Sequence, residues 1–189
     1  GFVSTVYAGQ TKVSIERVAV TPAWFSDDKF NKGYVLVKAK GPTIDEAFAN
    51  ALTLSRHELI DRIMKAVSQK WGTGNCPGAQ AVFKLEELRI TLSDGLAGVW
   101  SEYARERKAA FDQLRGVYFY HARFEVDINF IRDILQTFAS SRYNSMNMQS
   151  VWPSVVAALN KPIIIIEKER QVQSKLAPPF LREYSSHDL

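Results

Sequence analysis

Apolar positions along this chain keep two different rhythms, and where the rhythm changes an element ends. In "TKVSIERVAV" (11–20) Val13 and Ile15 alternate with polar residues and Val18 and Val20 follow, which predicts a strand that Thr21-Pro22 then turns. In "GYVLVKAK" (33–40) Val35, Val37 and Ala39 share one face and Tyr34, Leu36 and Lys38 the other, before Gly41-Pro42 stops the strand. Thr43-Ile44-Asp45-Glu46 next matches a capping box, in which a Thr hydroxyl and a Glu carboxylate satisfy backbone amides reciprocally, so a helix begins there. Ile44, Phe48, Leu52, Leu59, Ile63, Val67 and Trp71 recur at close to helical spacing, with Ala47, Ala51 and Ala66 widening the stripe. The next breaker is Gly72, which predicts one helix of roughly 42 Å, long enough to cross a sheet and run past it.

The second half is read in the same way. "GTGNCPGAQ" (72–80) is a loop by composition, and "AVFKLEELRITL" (81–92) fits strand or helix, with the alternation of Leu88, Ile90 and Leu92 favouring a strand near 87–92. Ser93-Asp94 caps a predicted helix over 96–114, with Val99, Trp100, Tyr103, Ala110, Phe111 and Leu114 as its stripe. "GVYFYHARFEV" (116–126) is a strand with Tyr118, Tyr120, Ala122, Phe124 and Val126 on one face. A helix over 129–140, a polar loop "SSRYNSMNMQS", a short helix over 153–159 and a buried-type strand "PIIIIEK" follow. From Arg170 the chain has no period, and Pro178-Pro179 sits among Leu176, Phe180 and Leu181, which reads as an extended arm that docks on a neighbour or as a frayed terminus. The expected fold is α+β: a mainly antiparallel sheet with a long amphipathic helix on it, formed by one domain over 11–169. An N-terminal arm or signal-like remnant (1–10) and a C-terminal arm (170–189) flank it.

Composition narrows the partners. With 189 residues, 46% of them apolar, the chain fits one well-packed domain or a domain with a docked extension. Its 24 cations exceed its 20 anions by a net charge of +4, at a pI near 9.2, and after residue 160 five Lys or Arg face four Asp or Glu. Such diffuse basicity disfavours a nucleic-acid groove. "GFVSTVYAGQ" reads as the tail of a secretory signal or, preferably, as a first strand or arm. No apolar run reaches the ~18 residues of a transmembrane helix.

Chemistry is sparse. His57 and Asp61 would share a helical face one turn apart, as in a helical metal motif, but the second histidine of such a motif is missing, and neither His121 nor His187 completes a site. Cys76, the one cysteine, has no histidine near it in sequence to activate it. Glu86 and Glu87 stand in no motif, and there is no nucleophile elbow, Walker loop or dinucleotide fingerprint. The chain is therefore expected to be no enzyme and to need no cofactor or metal. Two patterns favour binding. Tyr118, Tyr120, Arg123 and Phe124 could form a stacking platform for single-stranded nucleic acid, though a core strand has the same string. Trp24-Phe25 beside Asp27-Asp28 could cover the sheet edge or anchor a partner, together with Leu176, Pro178, Pro179, Phe180 and Leu181 of the arm.

The order Pro22-x-Trp24-Phe25, then "GYVLVKAKG", then "TIDEAFANALTLSRHELIDRI" resembles the LPP-type envelope lipoprotein family, which includes flagellar basal-disk lipoproteins and a secreted TNF-α-inducing protein. Glu46-Ala47, Ala51, Ser55-Arg56, Leu59 and Ile63 match its helix pattern in order, over residues 22–67. The resemblance implies a small α/β protein that oligomerises in or under the outer membrane, in the periplasm, and carries no catalytic residues. No lipidated cysteine stands near the start, since Cys76 is internal. The expected function is a non-catalytic structural subunit of an envelope-associated homo-oligomeric assembly such as a ring, a disk or a secretion or flagellar collar, in contact with other assembly subunits. A virion or phage-tail subunit and a basic single-stranded nucleic-acid-binding module are the alternatives.

Overall fold

A computed structural model describes residues 3–8, 11–16, 20–71, 78–141 and 146–168. Strand β3 (Tyr34–Gly41) runs into helix α1 (Ile44–Trp71), and the junction is tight. A Cβ on Gly41 would lie 2.5 Å from the Ala47 backbone nitrogen, so only glycine lets strand and helix approach this closely. The box residues close the helix start, though not reciprocally as expected. The Thr43 hydroxyl accepts the Glu46 amide at 3.1 Å and donates to the Glu46 carboxylate at 3.0 Å.

Along α1 the fully buried line is Ala47, Ala51, Ser55, Leu59 and Ile63, spaced by four, with Phe48 and Leu52 half-buried beside it. Small residues in the first half let the helix lie close on β3 and β5 (Val117–Glu125). In the second half Ile60, Met64, Ala66 and Val67 are buried as well, because α2 (Gly78–Ala97) and α4 (Met148–Leu159) pack on it there and α3 (Ile128–Ala139) touches both. The length read from the sequence is thus used twice, on the sheet and within a helical cluster.

The four-strand mixed sheet β4 (Ala104–Asp112), β5, β3, β6 (Ile163–Ile166) is mostly antiparallel, with β3 and β6 parallel. A hairpin of β1 (Val3–Ala8) and β2 (Thr11–Glu16) extends it, β2 lying parallel to β4, in the order β1-β2-β4-β5-β3-β6. With helices packed on this sheet, the fold is α+β as the pattern predicts.

Four expectations are corrected. Residues 87–92 are helical, inside α2, because Leu88, Leu92 and Leu96 form a buried stripe while Ile90 is 59% exposed. Residues 96–114 form no single helix: α2 ends at Ala97, a 3-10 turn spans Trp100–Tyr103, and 104–112 is β4, paired along β5. Helix α4 starts at Met148, capped by Asn147, and includes Pro153 instead of beginning there. Among the described residues strand β6 is the sheet's edge, with Ile164 and Ile166 exposed, not a strand buried on both sides. The loop read over 72–80 lies outside the described residues except for 78–80, which open α2, and the strand read over 11–20 ends at Glu16, with 17–19 also outside.

Candidate functional site

Strands β3, β4, β5 and β6 each have one face toward the helices and one away from them. Val35, Val37, Ala39, Ala109, Tyr120, Ala122, Phe124 and Ile163 belong to the helix-side core. The register places Leu36, Lys38, Phe119, His121, Arg123, Lys108, Ala110, Ile164 and Ile166 on the far side. The stacking reading is corrected by this alternation. Tyr120 and Phe124 are fully buried against the helices while Arg123 lies on the opposite face, so the four residues share no surface. Burial also pushes the Tyr120 hydroxyl up to about 12.

The segment 20–33 covers part of the far face. Phe25 donates its amide to Pro22 O at 3.0 Å, closing a turn, and its ring stands edge-on to His121 at 5.1 Å. Buried Asn31 ties the segment to itself, donating to Trp24 O and Ser26 O. Asp28 accepts from the Ser26 hydroxyl and the Phe30 amide, and the Ser26 bond leads in holding its carboxyl below the usual range. Arg123 lies over the Tyr34 ring at 3.8 Å and donates to Phe30 O at 3.3 Å. Trp24 and Phe25 are both half-buried, and Phe25 serves as a cover. His121, 2% exposed, sits between Lys38 and Lys108 in the cross-strand row, and burial first, then the two ammonium groups, pushes it down to about 4.

Toward β6 the cover ends. Ile164 is 36% and Ile166 58% exposed, whereas Ile163 is buried. Beyond Ile166 the ladder continues for one step: Glu167 donates its amide to Lys38 O at 2.8 Å, and its carboxylate accepts the Lys40 amide at 2.8 Å. Among the described residues no strand lies outside β6. Edge strands of this kind present unpaired amides and carbonyls as a pairing template, and natural edges are usually blunted by charge or proline. Here neither falls within the strand, and Pro162 stands just before it.

The helix layer contributes surface clefts. One of about 620 Å³ lies between α1 and α4 and is lined by Glu58, Asp61, Arg62, Lys65, Ser154 and Lys161, among others. A smaller cleft of about 280 Å³ between α1 and α2 holds the two residues of the sequence's metal motif, His57 and Asp61. The Asp61 carboxylate is taken by Arg89, and among the described residues no group of three or more metal-binding side chains converges. Glu86 and Glu87 lie exposed on α2. Cys76, His187, and the arm residues Leu176, Pro178, Pro179, Phe180 and Leu181 lie outside the described residues. Sequence reasoning read the isoleucine run as buried and so missed the edge; the signal was its length, four residues next to a proline, at the C-terminal end of the domain. Among the described residues no helix is long and apolar enough to cross a membrane. No family model, curated protein or solved structure matches this chain.

Proposed function

We propose that this chain is a non-catalytic structural subunit that associates with copies of itself, in an assembly at the cell envelope. The observation that carries self-association is the β6 edge, where two exposed isoleucines lie beside a row of backbone groups that no strand among the described residues pairs. Closed symmetric homo-oligomers are the common form of such assemblies. The envelope rests on the resemblance of residues 22–67, and the turn at Pro22–Phe25, then β3, then α1 packed on the sheet follow the element order that the resemblance implies. Light scattering on the full chain across a concentration series tests association: a discrete oligomer supports it, and a monomer at every concentration overturns it. Fractionation of the source cells tests the location, and recovery in the cytosolic fraction alone removes the envelope from the proposal.

A further inference from the structure

We infer that a second copy of this chain pairs with β6 in antiparallel register about a two-fold axis at Ile165, so that Ile164 of each copy lies opposite Ile166 of the other. This rests on the self-association reading and adds its seam and register. The backbone decides which residues are free. A strand residue points its N–H and C=O to the same side, and successive residues alternate. Glu167 turns its amide to β3, bonding Lys38 O. The odd-numbered residues therefore face β3, and Ile164 and Ile166 point theirs outward. Those same two residues carry the exposed side chains on the far face. Apolar surface and backbone groups unpaired by any strand among the described residues coincide on one pair of residues.

Register follows from the neighbours. Directly paired residues share a face, so the two-fold falls on a residue and not between two. An axis at Ile164 would set Pro162, which has no N–H, against Ile166 and lose a bond at each end. An axis at Ile166 would set Lys168 against exposed Ile164, whereas the axis at Ile165 sets against an isoleucine only Glu167, whose carboxylate is held by the Lys40 amide, opposite buried Ile163. The axis at Ile165 makes two complete hydrogen-bonded pairs and gathers four exposed isoleucines into one cluster. Charge agrees with the antiparallel sense. Lys161 precedes the strand and Glu167 follows it, so the antiparallel sense brings the basic start of one copy's strand beside the acidic end of the other's. A parallel pairing would set like beside like.

The test uses the full chain with Cys76→Ser as background and three single variants, Ile164→Cys, Ile165→Cys and Ile166→Cys. At the axis, Ile165 of the two copies form a non-hydrogen-bonded pair with Cα atoms about 4.5 Å apart, within disulfide range. Two copies of residue 164, or of 166, are displaced along the strands by about 7 Å and fall outside that range. Oxidation should therefore link Ile165→Cys to itself, and should link a mixture of Ile164→Cys and Ile166→Cys but neither of these alone. Independently, Ile166→Pro removes an outward N–H without touching the bonds to β3, and should raise the dimer dissociation constant at least tenfold while leaving the circular dichroism spectrum unchanged. A different linking pattern, or an oligomer indifferent to Ile166→Pro, overturns the register while self-association stands. A wild-type chain that is monomeric throughout overturns both.

Discussion

His121 offers a quantitative test of how the sheet's far face is built. Its ring is buried under Phe25 in the row between Lys38 and Lys108, and it is held down to about 4 against an ordinary 6.5. Below pH 6.5 the unfolded chain takes up a proton that the folded chain refuses, so stability falls as pH drops from about 6.5 to about 4 and levels off below. That gap corresponds to about 3 kcal/mol, and screening by water around the half-exposed lysines lowers the expected loss to about 2 kcal/mol. Carboxylates titrate in the lower part of the same window, so the readout is a difference. His121→Phe keeps a ring beneath Phe25 and removes the titration. Urea unfolding at one low protein concentration, from pH 7.5 to 4.5, should show the wild type losing about 2 kcal/mol more than the variant at equal m-value. Parallel pH profiles, or a His121 ring that titrates near 6.5 by NMR, would refute the reasoning.

Three further outcomes follow from the packing. Ser55 lies buried where α1 passes from the sheet to the helical cluster, accepting from Trp100 Nε1 at 2.8 Å and donating to Ala51 O at 2.6 Å. Ser55→Ala strands that indole N–H and should cost about 1–3 kcal/mol in denaturant unfolding, while Ser55→Ala combined with Trp100→Phe should cost less than the sum of the two single changes. Gly41→Ala must displace the α1 backbone at Ala47 and should lower the melting temperature clearly, where Gly98→Ala, with open space around its Cβ, should not. Asp127 caps α3 through the Phe130 amide at 3.1 Å and accepts from the Tyr103 hydroxyl at 3.1 Å. Asp127→Ala should cost about 1–2 kcal/mol, and it should lower the Tyr103 ionisation, which burial first and then this carboxylate hold above 10, as followed by ultraviolet titration.

The parts of the fold that were legible in sequence are those whose local pattern and tertiary setting agree. β3 alternates and is flanked by a glycine, and α1 combines a capping threonine with a stripe of constant period. The misread stretch, 87–114, is where they compete. Leu88, Ile90 and Leu92 alternate over five residues, but the longer series Leu88, Leu92, Leu96 has the helical period, and the longer window carries the buried face. "ARERKAAFD" is made of helix formers, yet pairing along β5, with Arg107 over the Phe48 ring at 4.3 Å and Phe111 beside Tyr118 at 4.8 Å, holds it extended. Gly116, with φ 65° in the following turn, and its amide bond to Asp112 O marked that hairpin locally. The candidate edge was hidden because a run of isoleucines looks the same whether one face or two are covered; only strand order tells them apart.

The most direct test is hydrogen exchange at the Ile164 and Ile166 amides, followed by NMR at low and high protein concentration. Self-association through β6 predicts that these two amides, which point away from β3, slow at least tenfold as concentration rises, while the inward amides of Ile165 and Glu167 change far less. Equal exchange at both concentrations, in a sample whose mass has not changed, would contradict it.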